Sequence, residues 1–142
     1  MALSDHNQSP MGQQMIQLTN DSQTECYSNT ALAVLLGNPV MASFLTTVSC
    51  DSDLVNNVRG LAAGRPSNTV QSGRGVRAAL VTARPGAAQF AQYNREEDCH
   101  EFLTWLLDGL EQEMPLNLRT KFFSLFRFYS NYTFCHVQFH PP

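Results

Sequence analysis

Charge is scarce in this chain. Only 15% of its 142 residues are Asp, Glu, Lys or Arg, and nine basic residues against twelve acidic ones leave a net charge of -3. Binding to a phosphate backbone draws on a surplus of Lys and Arg, so nucleic acid is not expected as a partner. Paired cysteines are absent too: Cys26, Cys50, Cys99 and Cys135 lie far apart, with no CxxC. That spacing argues against a disulfide framework and for free thiols in a reducing compartment, cytoplasmic or nuclear. Residues 1–14 lack the apolar core of a secretion signal. The longest apolar run, Ala31 to Leu36, is far shorter than the ~20 residues of a membrane span, so no membrane partner is expected. Internal repeats and low-complexity tracts are missing as well.

What remains is a composition suited to one packed domain, 43% hydrophobic and 10% aromatic. The polar stretch 1–14 reads as a flexible arm, and 15–142 as the folded part. After a polar loop, Ala31, Leu32, Leu35 and Leu36 recur at helical spacing from Cys26 onward. Gly37-Asn38-Pro39 is expected to end that helix, with Gly37 as a left-handed cap. Shorter helices are expected over 40–48, around Leu54 to Leu61, and around Val76 to Val81 up to Pro85-Gly86. The longest stripe (Cys99, Phe102, Leu103, Leu106, Leu107, Leu110) predicts a helix over 94–113 with Glu96, Glu97 and Asp98 in its first turn. Beyond Arg119 the pattern reads as β: Phe122 to Tyr129 is aromatic-rich, and Cys135, Val137 and Phe139 alternate.

Two segments carry chemistry. In the first, Asn20 to Leu32, a polar loop delivers Cys26 to the first turn of an apolar helix. Free backbone N–H groups there stabilise a thiolate and can also donate to an oxyanion on a carbonyl that the sulfur attacks. A single cysteine is nonetheless more often inert packing. In the second, Glu96 to Leu110, an amphipathic helix begins in a cluster of carboxylates able to grip a cationic peptide.

Together these segments resemble the cysteine box and the glutamine–aspartate box of the ubiquitin-specific proteases. The first box there runs roughly Asn-x-Gly-Asn-Thr-Cys-Tyr-x-Asn-Ser-x-Leu-Gln, and this chain supplies Cys26-Tyr27-x-Asn29-Thr30-x-Leu32. The second runs Gln-Gln-Asp-Ala-x-Glu-Phe-Leu followed by Leu-Leu-Asp, and the chain supplies Asp98-Cys99-His100-Glu101-Phe102-Leu103 and Leu106-Leu107-Asp108. The resemblance spans about Ile16 to Gln138 and is weakest in the middle.

It implies an α+β, papain-like cysteine peptidase fold, with 15–142 as the mostly helical thumb half of the catalytic domain and the beginning of a β region. It implies a cysteine-type deubiquitinase, in which Cys26 attacks the carbonyl of the C-terminal glycine of ubiquitin. Ubiquitin or ubiquitinated proteins are the implied partners, and no cofactor is implied. Asp98 matches the aspartate that holds the basic ubiquitin tail, and Glu96 falls where a tail-contacting glutamine stands; Leu106 and Leu107 read as core.

Several positions depart from the pattern. The oxyanion asparagine of the family lies five residues before the cysteine, where this chain has Asp21, and Asn20 lies six before. A bulged loop would let Asn20 donate; otherwise Asp21 would face the developing charge. Glu25, next to Cys26, brings a negative charge that disfavours a thiolate. Ser22 or Gln23 replaces the usual glycine, and Ala33 a common glutamine. The histidine box is not matched: His6 falls in the arm, His100 on an exposed helix face, and His136 and His140 in the β-like tail. Zinc on Cys135, His136 and His140 would want a fourth ligand, so no metal is assigned. A catalytically inactive ubiquitin-binding or scaffold module is therefore the alternative function, and an unrelated helical interaction domain a third.

Overall fold

The computed structural model describes residues 16–21, 23–65, 69–92 and 94–125. The arm 1–14 and the tail with Cys135, His136 and His140 lie outside them.

Among the described residues the body is built from α1 (Cys26–Gly37), α2 (Pro39–Thr47), α3 (Asp53–Ala63), α4 (Arg74–Ala83) and α5 (Cys99–Glu113). A 3-10 segment, Pro85–Ala91, joins α4 to the loop before α5, and residues 116–125 are helical. Most helix starts are written in the sequence. Asn38 accepts hydrogen bonds from the N–H groups of Val40 and Met41, with Pro39 at the first position of α2. Ser52 caps α3 through the Val55 N–H. Asp98 caps α5 through the Glu101 N–H at 2.8 Å.

The expected α+β, papain-like class is not what these residues form. Among the described residues there is no strand, only an isolated parallel bridge between Leu18 and Gln71. The β reading after Arg119 fails through residue 125 for a definite reason. Leu118, Phe122 and Leu125 fall at i, i+4 and i+7, and on a helix all three pack against the core, with Phe122 stacked on Phe44 of α2. Helical period thus outweighs the β preference of aromatic residues.

Two boundaries also shift. Gly37 is the last residue of α1 and is not left-handed; Asn38 turns extended, and Pro39 starts a new helix at 90° to α1. Helix α5 begins at Cys99 rather than 94, because Asp98 takes the extended conformation of a cap. Glu96 and Glu97 therefore precede the helix instead of filling its first turn.

The core is continuous. Leu32, Leu35 and Leu36 of α1 are fully buried, as are Leu45 of α2, Val55 and Val58 of α3, Leu80 of α4 and Leu106 and Leu110 of α5. Helix α1 packs against α2 and α5, and α3 lies against α2, α4 and α5. No single helix among the described residues is long and apolar enough to cross a membrane.

Candidate active site

One cluster of aromatic rings brings the two sequence motifs together. Tyr27, next to Cys26, meets Phe102, four residues after Asp98, edge to face at 5.5 Å. Phe90 of the 3-10 segment completes the cluster, 5.9 Å from Tyr27 and 5.1 Å from Phe102. All three rings are buried. Such pairs contribute about 0.5–1.5 kcal/mol each beyond their burial, so the N-terminal ends of α1 and α5 are firmly joined.

Cys26 is exposed on the first turn of α1. The Asn20 Nδ2 donates toward its Sγ at 3.2 Å. The orientation of that amide is set by a second bond, since the Asn20 Oδ1 accepts from the Glu25 N–H at 3.0 Å. An oxygen is needed on that side, which leaves the NH₂ group facing the sulfur. Between the two residues the loop doubles back: the Gln23 N–H donates to the Asn20 carbonyl at 3.1 Å, and Gln23 is left-handed, with φ 59°. The motif it resembles has glycine in this loop, and a left-handed turn is where glycine costs least. The extra residue is thus absorbed by a turn, and Asn20 rather than Asp21 approaches Cys26. Asp21 is exposed.

The incoming chain is clamped. The Asn29 Nδ2 donates to the Thr19 carbonyl at 2.9 Å. The Thr19 N–H donates to the Gln71 carbonyl, and the Gln71 N–H to the Gln17 carbonyl. A methyl group on the Cα of Gly73, two residues on, would lie 2.9 Å from Leu32 Cδ1, so a larger residue there would make the Leu32 side chain shift. Asn29, which the cysteine motif shares, therefore serves the loop rather than the sulfur directly.

Glu25 holds the cap position of α1 but caps nothing with its side chain. Its carboxylate is 1% exposed, hydrogen-bonded by Arg74 Nε at 3.0 Å and 3.8 Å from a nitrogen of the fully buried Arg77. The first-turn amides beside Cys26 are thus left without a side-chain cap, and the negative charge expected to oppose the thiolate is turned inward onto two guanidinium groups. Neither arginine is conspicuous in the sequence. Nothing within the motif signals a partner 49 and 52 residues away.

Asp98 is exposed, and its carboxylate already serves as the α5 cap; Glu96 is exposed on the segment before it. The spacing Asp98-x-x-Glu101 is that of a capping box, so the residues that resemble a ubiquitin-tail motif also have a purely local use. Partial burial raises the thiol pKa of Cys99, with Asp98 adding to the rise, which disfavours its thiolate. Burial likewise raises the Tyr27 hydroxyl, opposed by Arg77 and reinforced by Glu97 and Glu25. His100 is exposed on the first turn of α5, and Leu106 and Leu107 are buried as core. No group of three or more potential metal ligands occurs among the described residues. A cavity of about 460 Å³ lined by Asp53, Asn57, Thr82 and Glu113 includes neither Cys26 nor Asn20.

No family model, curated protein or solved structure matches this chain.

Proposed function

We propose that this chain supplies the nucleophile of a ubiquitin-directed cysteine hydrolase, and that Cys26 captures the C-terminal glycine of ubiquitin. The observation that carries the reading is the Asn20 amide held at 3.2 Å from the Cys26 sulfur at an uncapped helix N-terminus. The motif resemblance supplies the substrate. In the proposed reaction the thiolate adds to the glycine carbonyl carbon, a C–S bond forms, and the π electrons move onto oxygen. The Asn20 Nδ2 and the first-turn N–H groups of α1 donate to that oxyanion. Collapse to a thioester expels an amine, which requires a proton. No histidine of the sequence matches the family's histidine box, so the chain's own residues account for capture and not for turnover.

Asn20→Ala separates this role from general upkeep of the loop. Capture of a ubiquitin C-terminal aldehyde, which develops an oxyanion, is expected to fall ~10²-fold, in line with loss of one oxyanion donor. Alkylation of Cys26 by iodoacetamide, which develops none, should change by less than about tenfold, within the range of a single lost hydrogen bond. Equal losses in both assays would remove Asn20 from the oxyanion site.

Asp98 is proposed to hold the basic ubiquitin tail while capping α5. Asp98→Asn keeps the acceptor for the Glu101 N–H and removes only the charge. Stability should hold to within about 0.5 kcal/mol because Asn caps as well as Asp, while ubiquitin binding should weaken about tenfold through loss of a charge-assisted bond. Asp108→Ala, which removes a half-exposed partner of Arg84, should affect binding less. Titration calorimetry that finds the two variants equal would limit Asp98 to its capping role.

The absence of a matching histidine also supports a second reading, a ubiquitin-binding module without chemistry. Ubiquitin binding with no covalent capture would establish it.

A further inference from the structure

The ion cluster beneath Cys26 has a geometry that ordinary core packing does not call for. Arg77 is fully buried, and one of its terminal nitrogens donates to the Phe90 carbonyl at 3.0 Å and the Gln92 carbonyl at 3.3 Å. Its guanidinium lies 5.2 Å from the Tyr27 ring centroid, and another terminal nitrogen is 3.8 Å from Glu25. One side chain of α4 therefore touches the residues on both sides of Cys26 and the 3-10 segment as well. Arg74, 42% exposed, reaches the same Glu25 oxygen from the surface. A buried ion pair is poor evidence of net stability, because desolvation of both charges offsets their attraction. Its placement beside a nucleophile calls for another account.

We infer that Arg77 is a positioning residue for Cys26: it holds the Glu25 carboxylate buried and paired with guanidinium charge, and so keeps Cys26 reactive. The inference rests on the reading of Cys26 as nucleophile. The backbone makes the coupling direct. The Glu25 N–H orients the Asn20 amide, and its carbonyl accepts both the first helical bond of α1, from the Asn29 N–H at 2.9 Å, and a bond from the Ser28 hydroxyl at 3.1 Å. Fixing the Glu25 side chain therefore fixes the residue from which both the Asn20 donor and the helix start are hung. The other ionisable groups around this cluster are Tyr27 on α1, Glu97 before α5, itself paired with Arg95, and the exposed Asp21 in the loop. Removing Arg77 takes one positive charge away from beside Glu25 while Arg74 stays on its carboxylate, and that loss of one charge disfavours the Cys26 thiolate. Removing the Glu25 charge leaves two cations and favours it.

Iodoacetamide reads this without ubiquitin: the thiolate displaces iodide, a C–S bond forms, and the rate follows the thiolate fraction. The full-length chain is alkylated across a range of pH, and modification of Cys26 is resolved from Cys50, Cys99 and Cys135 by peptide mass. Arg77→Met is expected to slow Cys26 about three- to tenfold at neutral pH and shift its pH profile upward, the effect of about one charge nearby. Glu25→Gln is expected to speed it by a similar factor and shift the profile downward, and Glu25→Gln combined with Arg77→Met should return to within about twofold of the parent. A purely structural role predicts no rescue in the double variant, and that result, or unchanged profiles in both single variants, overturns the inference. If Arg77→Met does not fold by circular dichroism, Glu25→Gln alone decides, since Gln keeps an acceptor for Arg74. Capture of a ubiquitin electrophile by the parent chain tests the underlying reading separately, so either can fail without the other.

Discussion

Replacing Cys26 with alanine should abolish covalent capture of a ubiquitin carrying a C-terminal electrophile, with no loss of folding. The side chain is exposed at a helix start and contributes nothing to the buried core, so Ala leaves α1 intact and removes only the sulfur. The competing thiols provide an internal control. Cys99 has its pKa raised by burial and by Asp98, and should label slowly at neutral pH. In the parent chain a single adduct is expected, and in Cys26→Ala none. Steady release of a fluorogenic amine from a ubiquitin amide is not expected of either, because no histidine of the chain matches the motif that would protonate the leaving group. Measurable release would show that another group serves as acid.

Phe102→Ala should produce the largest loss of stability of any substitution near the site. Its ring is fully buried and stands edge-on to both Tyr27 and Phe90, so truncation opens a cavity at the junction of α1, α5 and the 3-10 segment. Phe→Ala changes in well-packed cores cost about 3–5 kcal/mol. For a chain of this length that lowers the melting temperature by on the order of 10 °C. Trp105, the single tryptophan, lies in the next turn of α5 with Arg84 5.9 Å from its ring, and its fluorescence gives a local reading of the transition. The loss should carry over into Cys26 chemistry, since the same cluster sets the start of α1 against α5. A change below about 1 kcal/mol would mean that the two motifs are not joined through these rings.

The sequence revealed the helices more readily than the reasons for their ends. Apolar spacing alone located α1 to α5, because a stripe at i, i+3, i+4 can be buried in only one way. It misjudged the residues after Arg119 as far as 125, where an aromatic-rich stretch with Phe122 and Phe123 suggested a strand while only one side of it faces the core. It placed Asp98 within a helical turn, though a carboxylate there serves better as the cap that starts the helix. At the site, the cysteine and its helix start were visible as a local pattern. The choice between Asn20 and Asp21 was not, because it depends on a left-handed Gln23 that no propensity favours. Glu25 was read as a charge opposing the sulfur. Its true environment is set by Arg74 and Arg77, which come from a helix half the described chain away, and long-range pairing of that kind leaves no periodic trace in a single sequence.

Cys26 as a nucleophile directed at ubiquitin is the central proposal for this chain. The most direct measurement is the mass of the proteolytic fragments after the full-length chain is treated with a ubiquitin carrying a C-terminal electrophile, beside a ubiquitin of the same chemistry with its basic tail neutralised. One adduct is expected, on the peptide containing Cys26, formed much more slowly when the tail has lost its charge. An absence of adduct, or modification spread equally over Cys26, Cys50 and Cys99 regardless of the tail, would contradict it.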